Sequence, residues 1–233
     1  MYRGWTEFTN VFLSMINNRN IGKILEKIER KSRFHIQPSV SAIASGHSSP
    51  FHVLIATLLS LRTKDAVTLA ASKRLFQVAD TPDAILRLTS KKIEKLIYPV
   101  VFYRNKSAQI LEICAKLIKE YQGVVPNNLD VLLEFKGVGR KTANLVLILG
   151  YGIPAMCVDT HVHRISNRFG YIQTKTPDES EQILRRQLPI KYWLTFNDLL
   201  VTFGQNQCTP VSPFCSTCPI TSECPKINVL KYR

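Results

Sequence analysis

Long apolar runs are missing from this 233-residue chain: stretches such as Leu145–Leu149 fall far short of the ~20 residues a membrane-spanning helix needs. A secretory signal is missing too, because Arg3 and Glu7 break the only apolar run near the start. Glycine and proline, at 10 and 12, show no collagen-like or linker-like enrichment. No alternating strand pattern of useful length occurs, and no internal repeat or low-complexity segment. Acidic residues are scarce. Seventeen Asp and Glu stand against 31 Lys and Arg, a net charge of +14. A compact protein with that excess repels itself, so the excess usually faces a polyanion. Charge alone does not separate nucleic acid from an anionic membrane. The basic residues are spread over folded elements, with no basic tail or long amphipathic basic helix, and that favours nucleic acid.

Cysteine is absent from most of the chain and crowded at one end. Of six, four fall within 17 residues: Cys208, Cys215, Cys218 and Cys224. Cys114 and Cys157 sit alone in apolar surroundings and read as small buried hydrophobes. A secreted disulfide scaffold would distribute its cysteines throughout. Four thiolates in a short loop instead point to a tetrahedral zinc or a cubane iron–sulfur cluster, and the chemistry alone leaves both open.

What the sequence does contain is helix. Ile21, Ile24, Leu25 and Ile28 recur at helical spacing, and a Ser-rich loop is expected around Gln37–Pro50. Phe51–Leu61 reads as a buried helix, with Thr63 or Asp65 capping the next one. Thr81-Pro82 and Ser90 mark further starts. Pro99 ends one helix, and Ser107–Tyr121 resumes the period. Asn128–Glu134, Arg140–Gly150, the segment after Asp159, the capping box at Thr176–Glu179 and Trp193–Val201 complete an all-α reading.

The chemistry concentrates at Leu133-Glu134-Phe135-Lys136-Gly137-Val138-Gly139-Arg140-Lys141, where two short helices flank a turn with glycine at alternate positions. Glycine allows close approach and positive φ, and the turn feeds a helix N-terminus able to hold a phosphate. Gly-x-Gly by itself equally describes an ordinary connection between helices. Lys141 adds to it: a lysine in a first helical turn lies against the positive end of the dipole, a field that disfavours the ammonium form. Asp159, 18 residues further on, is by default an N-cap for the helix it precedes.

Taken together, Lys136–Asn144 and Val158-Asp159-Thr160-His161 resemble the active-site signature of endonuclease III-type DNA glycosylases, in the helix-hairpin-helix base-excision repair superfamily. The resemblance runs from about Ile24 to the cysteine loop. It implies a two-lobed all-α fold: a six-helix lobe at 43–154 holding the hairpin, and a cluster lobe from 21–42 plus 155–233, with 1–20 an extension of unknown role. It implies that Lys141 attacks the sugar C1′ of a damaged nucleotide while Asp159 stabilises positive charge. Relatives lacking the lysine remove the base without cutting the strand, so its presence implies a bifunctional glycosylase and AP lyase acting on oxidised pyrimidines and abasic sites.

Further roles follow from the same resemblance. The turn residues Gly137, Val138, Gly139 and Arg140 would hold DNA. Arg62 stands where better-known members have the glutamine that fills the vacated gap, and it offers donors only. Phe102 aligns with the apolar wedge, which otherwise reads as a core aromatic, and Lys136 replaces a usual proline. The spacing Cys208-x6-Cys215-x2-Cys218-x5-Cys224 matches the family's [4Fe-4S] loop, whose Lys226 could meet phosphate. The expected partner is double-stranded DNA carrying a damaged base or abasic site. No membrane partner is expected, and the protein should be monomeric and intracellular. Two other readings stay open: a mismatch or damaged-purine glycosylase of the same superfamily, and a non-catalytic DNA-binding protein with a structural metal site.

Overall fold

A computed structural model describes residues 16–46 and 49–233. Most of the expected extension at 1–20 therefore lies outside the described residues. The chain divides into two compact units, Gln37–Cys157 and a second built from Met1–Ile36 with Val158–Arg233. Among the described residues every regular element is helical, as the periodicity requires.

In the Gln37–Cys157 unit the helix Pro50–Ser60 is the axis of the core. All of Phe51–Leu59 is buried, as suits a run that is apolar except for His52 and Thr57. Its one buried hydroxyl, on Thr57, donates back to the Val53 carbonyl at 2.7 Å. The helices Ser39–Gly46, Asp65–Val78, Tyr103–Tyr121 and Arg140–Leu145 pack around it. Gly150 presses on Pro50, where an added Cβ would meet the Pro50 Cα at 2.8 Å.

Several boundaries differ from the sequence reading. Ser39–Gly46 is a helix rather than a loop, because Val40 and Ile43 fall on one face and are buried. Their burial outweighs the turn preference of the serines. Neither Thr63 nor Asp65 caps the helix Asp65–Val78. Lys64 takes the N-cap place without a side-chain bond, while Asp65 accepts the Ser39 hydroxyl at 2.9 Å. Thr89 caps Ser90–Ile97, and the long helix starts at Tyr103 rather than Ser107. Arg140–Gly150 is not one α-helix: it widens to a π-helix at Val146–Gly150, where it lies against Pro50–Ser60.

In the second unit Trp193–Asn206 is the central helix, contacted by Ile21–Ser32 and Thr160–Arg168. Phe169, Phe196 and Phe203 form its heart. Gly204 permits the tightest crossing, since a Cβ there would lie 2.5 Å from the His161 Nδ1. Thr176 caps Pro177–Gln187 by accepting from the Glu179 N–H at 3.2 Å, and the Glu179 carboxylate reaches back to the Lys175 N–H at 2.8 Å. No helix among the described residues is long and apolar enough to cross a membrane.

Candidate functional site

The hairpin belongs to the Gln37–Cys157 unit. Leu129–Leu133 opens it, capped by the Asn128 side chain, which accepts from the N–H groups of Asp130 and Val131 at 2.9 and 3.2 Å. Phe135 is buried, with the Lys116 ammonium 4.8 Å above its ring. Gly137 takes φ +76°, and a Cβ there would collide with the Gln109 amide that donates to the Lys136 carbonyl at 2.8 Å. Both the positive φ and the Gln109 amide therefore favour glycine at 137. Lys136 itself pairs with Glu112 at 3.1 Å, exposed to solvent.

Gly139 is different. Its φ of −93° suits any residue, and an added Cβ would touch nothing within 4 Å. It is the N-cap of Arg140–Leu145, which makes Arg140 and Lys141 the first two helical residues. Val138 is buried beneath, so the exposed surface of the turn is glycine backbone, Arg140 and a half-buried Lys141. The Cys157 thiol, two residues before Asp159 in the chain, points at the Lys141 carbonyl at 3.7 Å.

Asp159 lies in the other unit and is the N-cap of Thr160–Arg168. Its Oδ1 accepts from the N–H groups of His161 and Val162, both at 2.9 Å, which fixes the direction of the carboxylate. Arg62 and Phe102 are both exposed, and both adopt φ +58° without being glycine. Phe102 is thus no core aromatic: it is 57% exposed at the start of Tyr103–Tyr121. One residue that sequence reasoning passed over stands between them. Lys106 is buried, its Nζ donating to the carbonyls of Leu59 and Leu61 at 2.9 and 2.8 Å. Burial pulls its pKa down to about 8. The signal in the sequence was its register, since Lys106 shares the helical face of Tyr103, Ile110, Ile113 and Leu117.

The four clustered cysteines line one cavity of about 360 Å3, counting its open mouth, with Phe169, Phe203 and Phe214. Burial pushes Cys218 up to about 11 and raises Cys215 and Cys224 as well, against the pull of Lys226 on both. The loop is held from outside by polar groups. Arg168 donates to the carbonyls of Thr209 and Pro210, both at 2.6 Å, and reaches the Cys208 sulfur at 3.5 Å. Arg164 donates to the Cys208 carbonyl at 2.8 Å. Lys226, expected to be available for phosphate, donates to the Thr221 carbonyl at 3.1 Å. Cys114 and Cys157 are buried apart from this loop, as small hydrophobes.

Comparison with known proteins identifies the family and the fold. Residues 55–189 match the family described as HhH-GPD superfamily base excision DNA repair protein. Endonuclease III of Thermotoga maritima is 45% identical over 177 residues, covering 76% of this chain and 83% of that protein. Endonuclease III homolog 2, chloroplastic, of Arabidopsis thaliana is 40% identical over 223 residues, covering 88% of this chain but 58% of that protein. Among solved structures, a trapped endonuclease III–DNA covalent intermediate superimposes with a TM-score of 0.79 at 34% identity, covering 91% of this chain and 97% of that one.

Proposed function

The chain belongs to the HhH-GPD superfamily and is a base-excision repair DNA glycosylase of the endonuclease III type; from that premise we propose that it is bifunctional, removing oxidised pyrimidines and then cleaving the abasic strand. The observation that carries the proposal is Lys141 at the second position of the helix that leaves the glycine hairpin. A similar protein was trapped as a covalent DNA intermediate, and such an adduct needs a nucleophile.

The damaged nucleotide leaves the stack, because its C1′ is unreachable inside a duplex. The Lys141 Nζ attacks C1′ through its lone pair, and the bond from C1′ to the base breaks, the base leaving with its electron pair and taking up a proton. Ring opening gives an iminium. Loss of a C2′ proton then sends the electron pair through to expel the 3′ phosphate, and water releases Lys141. Asp159, fixed by its cap bonds, supplies the carboxylate that stabilises positive charge on the sugar. The exposed backbone from Gly137 to Arg140 holds phosphate: since nothing inside the protein requires glycine at 139, a ligand approaching that surface is the physical reason for it. Arg62 and Phe102 enter the duplex around the extruded nucleotide.

Cys208, Cys215, Cys218 and Cys224 would hold a [4Fe-4S] cluster. They line one cavity of the C-terminal loop together, a donor set made of thiolates alone. Four thiolates spaced Cys208-x6-Cys215-x2-Cys218-x5-Cys224 are the donor set that the endonuclease III resemblance assigns to such a cluster. When bound, it cross-links the loop.

Borohydride trapping on abasic-site duplex tests the reading. Wild type should form a covalent adduct that Lys141→Gln lacks entirely. Asp159→Asn keeps the cap oxygen but loses the charge, so it should slow adduct formation by on the order of 100-fold or more while binding abasic DNA as wild type does. Equal loss of binding and chemistry would leave Asp159 a structural cap.

A further inference from the structure

Left-handed backbone in a residue with a side chain costs about 1–2 kcal/mol and persists only when neighbours over-determine it. The Gln37–Cys157 unit places three such residues on its surface: Gln122, which ends the helix Tyr103–Tyr121, and the pair Arg62 and Phe102. Within that pair, the neighbours of one are bonded to the neighbours of the other. Lys106 is the hub: its N–H donates to the Phe102 carbonyl at 3.0 Å, and its Nζ donates to the Leu59 and Leu61 carbonyls. Thr63 completes the bracket. Its hydroxyl oxygen accepts from the Val101 N–H at 3.2 Å and donates to the Leu61 carbonyl at 3.3 Å, with the Lys106 Nζ at 3.5 Å. Lys106 is only 6% exposed, although a lysine usually keeps its ammonium in water. The carbonyls it takes lie at and just beyond the end of Pro50–Ser60, where a helix leaves acceptors unsatisfied.

We infer that Lys106, seconded by Thr63, is a positioning residue that fixes Arg62 and Phe102 as one rigid two-pronged wedge for entering the duplex. The inference rests on the reading of those two residues given above. Lys106 touches no DNA in this scheme. It acts by removing freedom: prongs ordered before binding lose no conformational entropy on insertion, and their spacing is set by the bracket rather than by the DNA.

The test uses two substrates and the adduct-forming rate of the full chain. One is a duplex with an abasic site opposite 2-aminopurine. The other leaves the abasic site unopposed in a bulge, where little unpairing remains to be done. Lys106→Met should slow trapping on the paired duplex by on the order of 10- to 100-fold, since small misplacements cost that much. It should shrink the 2-aminopurine fluorescence change and leave the bulged substrate within about twofold of wild type. Added to Arg62→Ala with Phe102→Ala, it should cost little more. Equal slowing on both substrates, or full additivity, would overturn the inference and leave a purely structural lysine. Thr63→Val, which keeps the ammonium, should show the same pattern more weakly, and it carries the test if Lys106→Met melts below the assay temperature. Failure of the underlying reading looks different. Then wild type traps neither substrate, or Arg62→Ala and Phe102→Ala leave the paired duplex unaffected while Lys106→Met slows it.

Discussion

In the Gln37–Cys157 unit, Val53, Leu54, Ile55 and Leu117 are wholly buried and belong to one extended apolar core. The segment Cys208–Arg233 has a far thinner interior, in which only Pro213, Cys215 and Ile220 are buried. Val211 and Leu230 are 83% and 96% exposed, and apart from a single 3-10 turn at Cys215–Thr217 no helix is present there. Its shape is kept by Arg164 and Arg168 on backbone carbonyls, by the Lys27–Glu223 ion pair, and by Arg233, whose guanidinium stacks on Phe214 at 3.9 Å. One region is held by area removed from water. The other is held by directional bonds around four thiols, and it lacks the apolar surface to stay folded without whatever those thiols bind.

That contrast can be broken most severely at Cys215. Cys215→Ser should abolish the brown visible absorption of the native protein. Proteolysis should then cut within 208–233 while sparing Gln37–Cys157; stoichiometric zinc without iron in native protein would instead sink the cluster assignment. Next in size, Leu54→Ala should cost about 2–5 kcal/mol by denaturant unfolding, the range for emptying a packed core site, and leave the visible spectrum unchanged. A loss below 1 kcal/mol would mean the core is less close-packed than its burial indicates.

The two hairpin glycines sharpen the comparison within one turn. Gly137→Ala should cost about 1–2 kcal/mol, from positive φ and displacement of Gln109. Gly139→Ala should change stability by less than about 0.5 kcal/mol yet weaken binding to abasic duplex. Melting curves and binding titrations on both variants decide it: a Gly139→Ala protein that binds normally would remove the close approach of phosphate.

The last expected effect concerns pH. Lys106 titrates near 8 when folded against 10.5 for a free lysine, so between those values the unfolded chain holds more protons than the folded one. Stability contributed at this position therefore rises with pH: the penalty of burying the ammonium is complete below pH 8 and fades towards 10.5. The melting temperature of wild type minus that of Lys106→Met should increase from pH 8 to 10. A flat difference would mean the buried amine stays charged throughout.

Much of this was legible before any coordinates. The nearly continuous apolar run at Phe51–Leu61 reads as a buried helix and forms one at Pro50–Ser60, and Thr81 and Thr176 cap helices as their spacing announces. The misreadings fell where local preference and burial disagree. Serines hid the helix Ser39–Gly46, and Thr63 looked like a cap when its hydroxyl was needed to tie two turns together.

Sequence alone determined the identity of the chemical groups: an amine following a glycine turn, a carboxylate heading a helix, and four thiols close along the chain. Those are properties of residue type and short spacing. Only the tertiary structure decided that Phe102 is presented outward rather than packed inward, that glycine is favoured at 137 and unforced at 139, and that a buried lysine joins two distant turns. Each depends on which atoms of remote segments meet, and no periodicity along the chain encodes such a meeting.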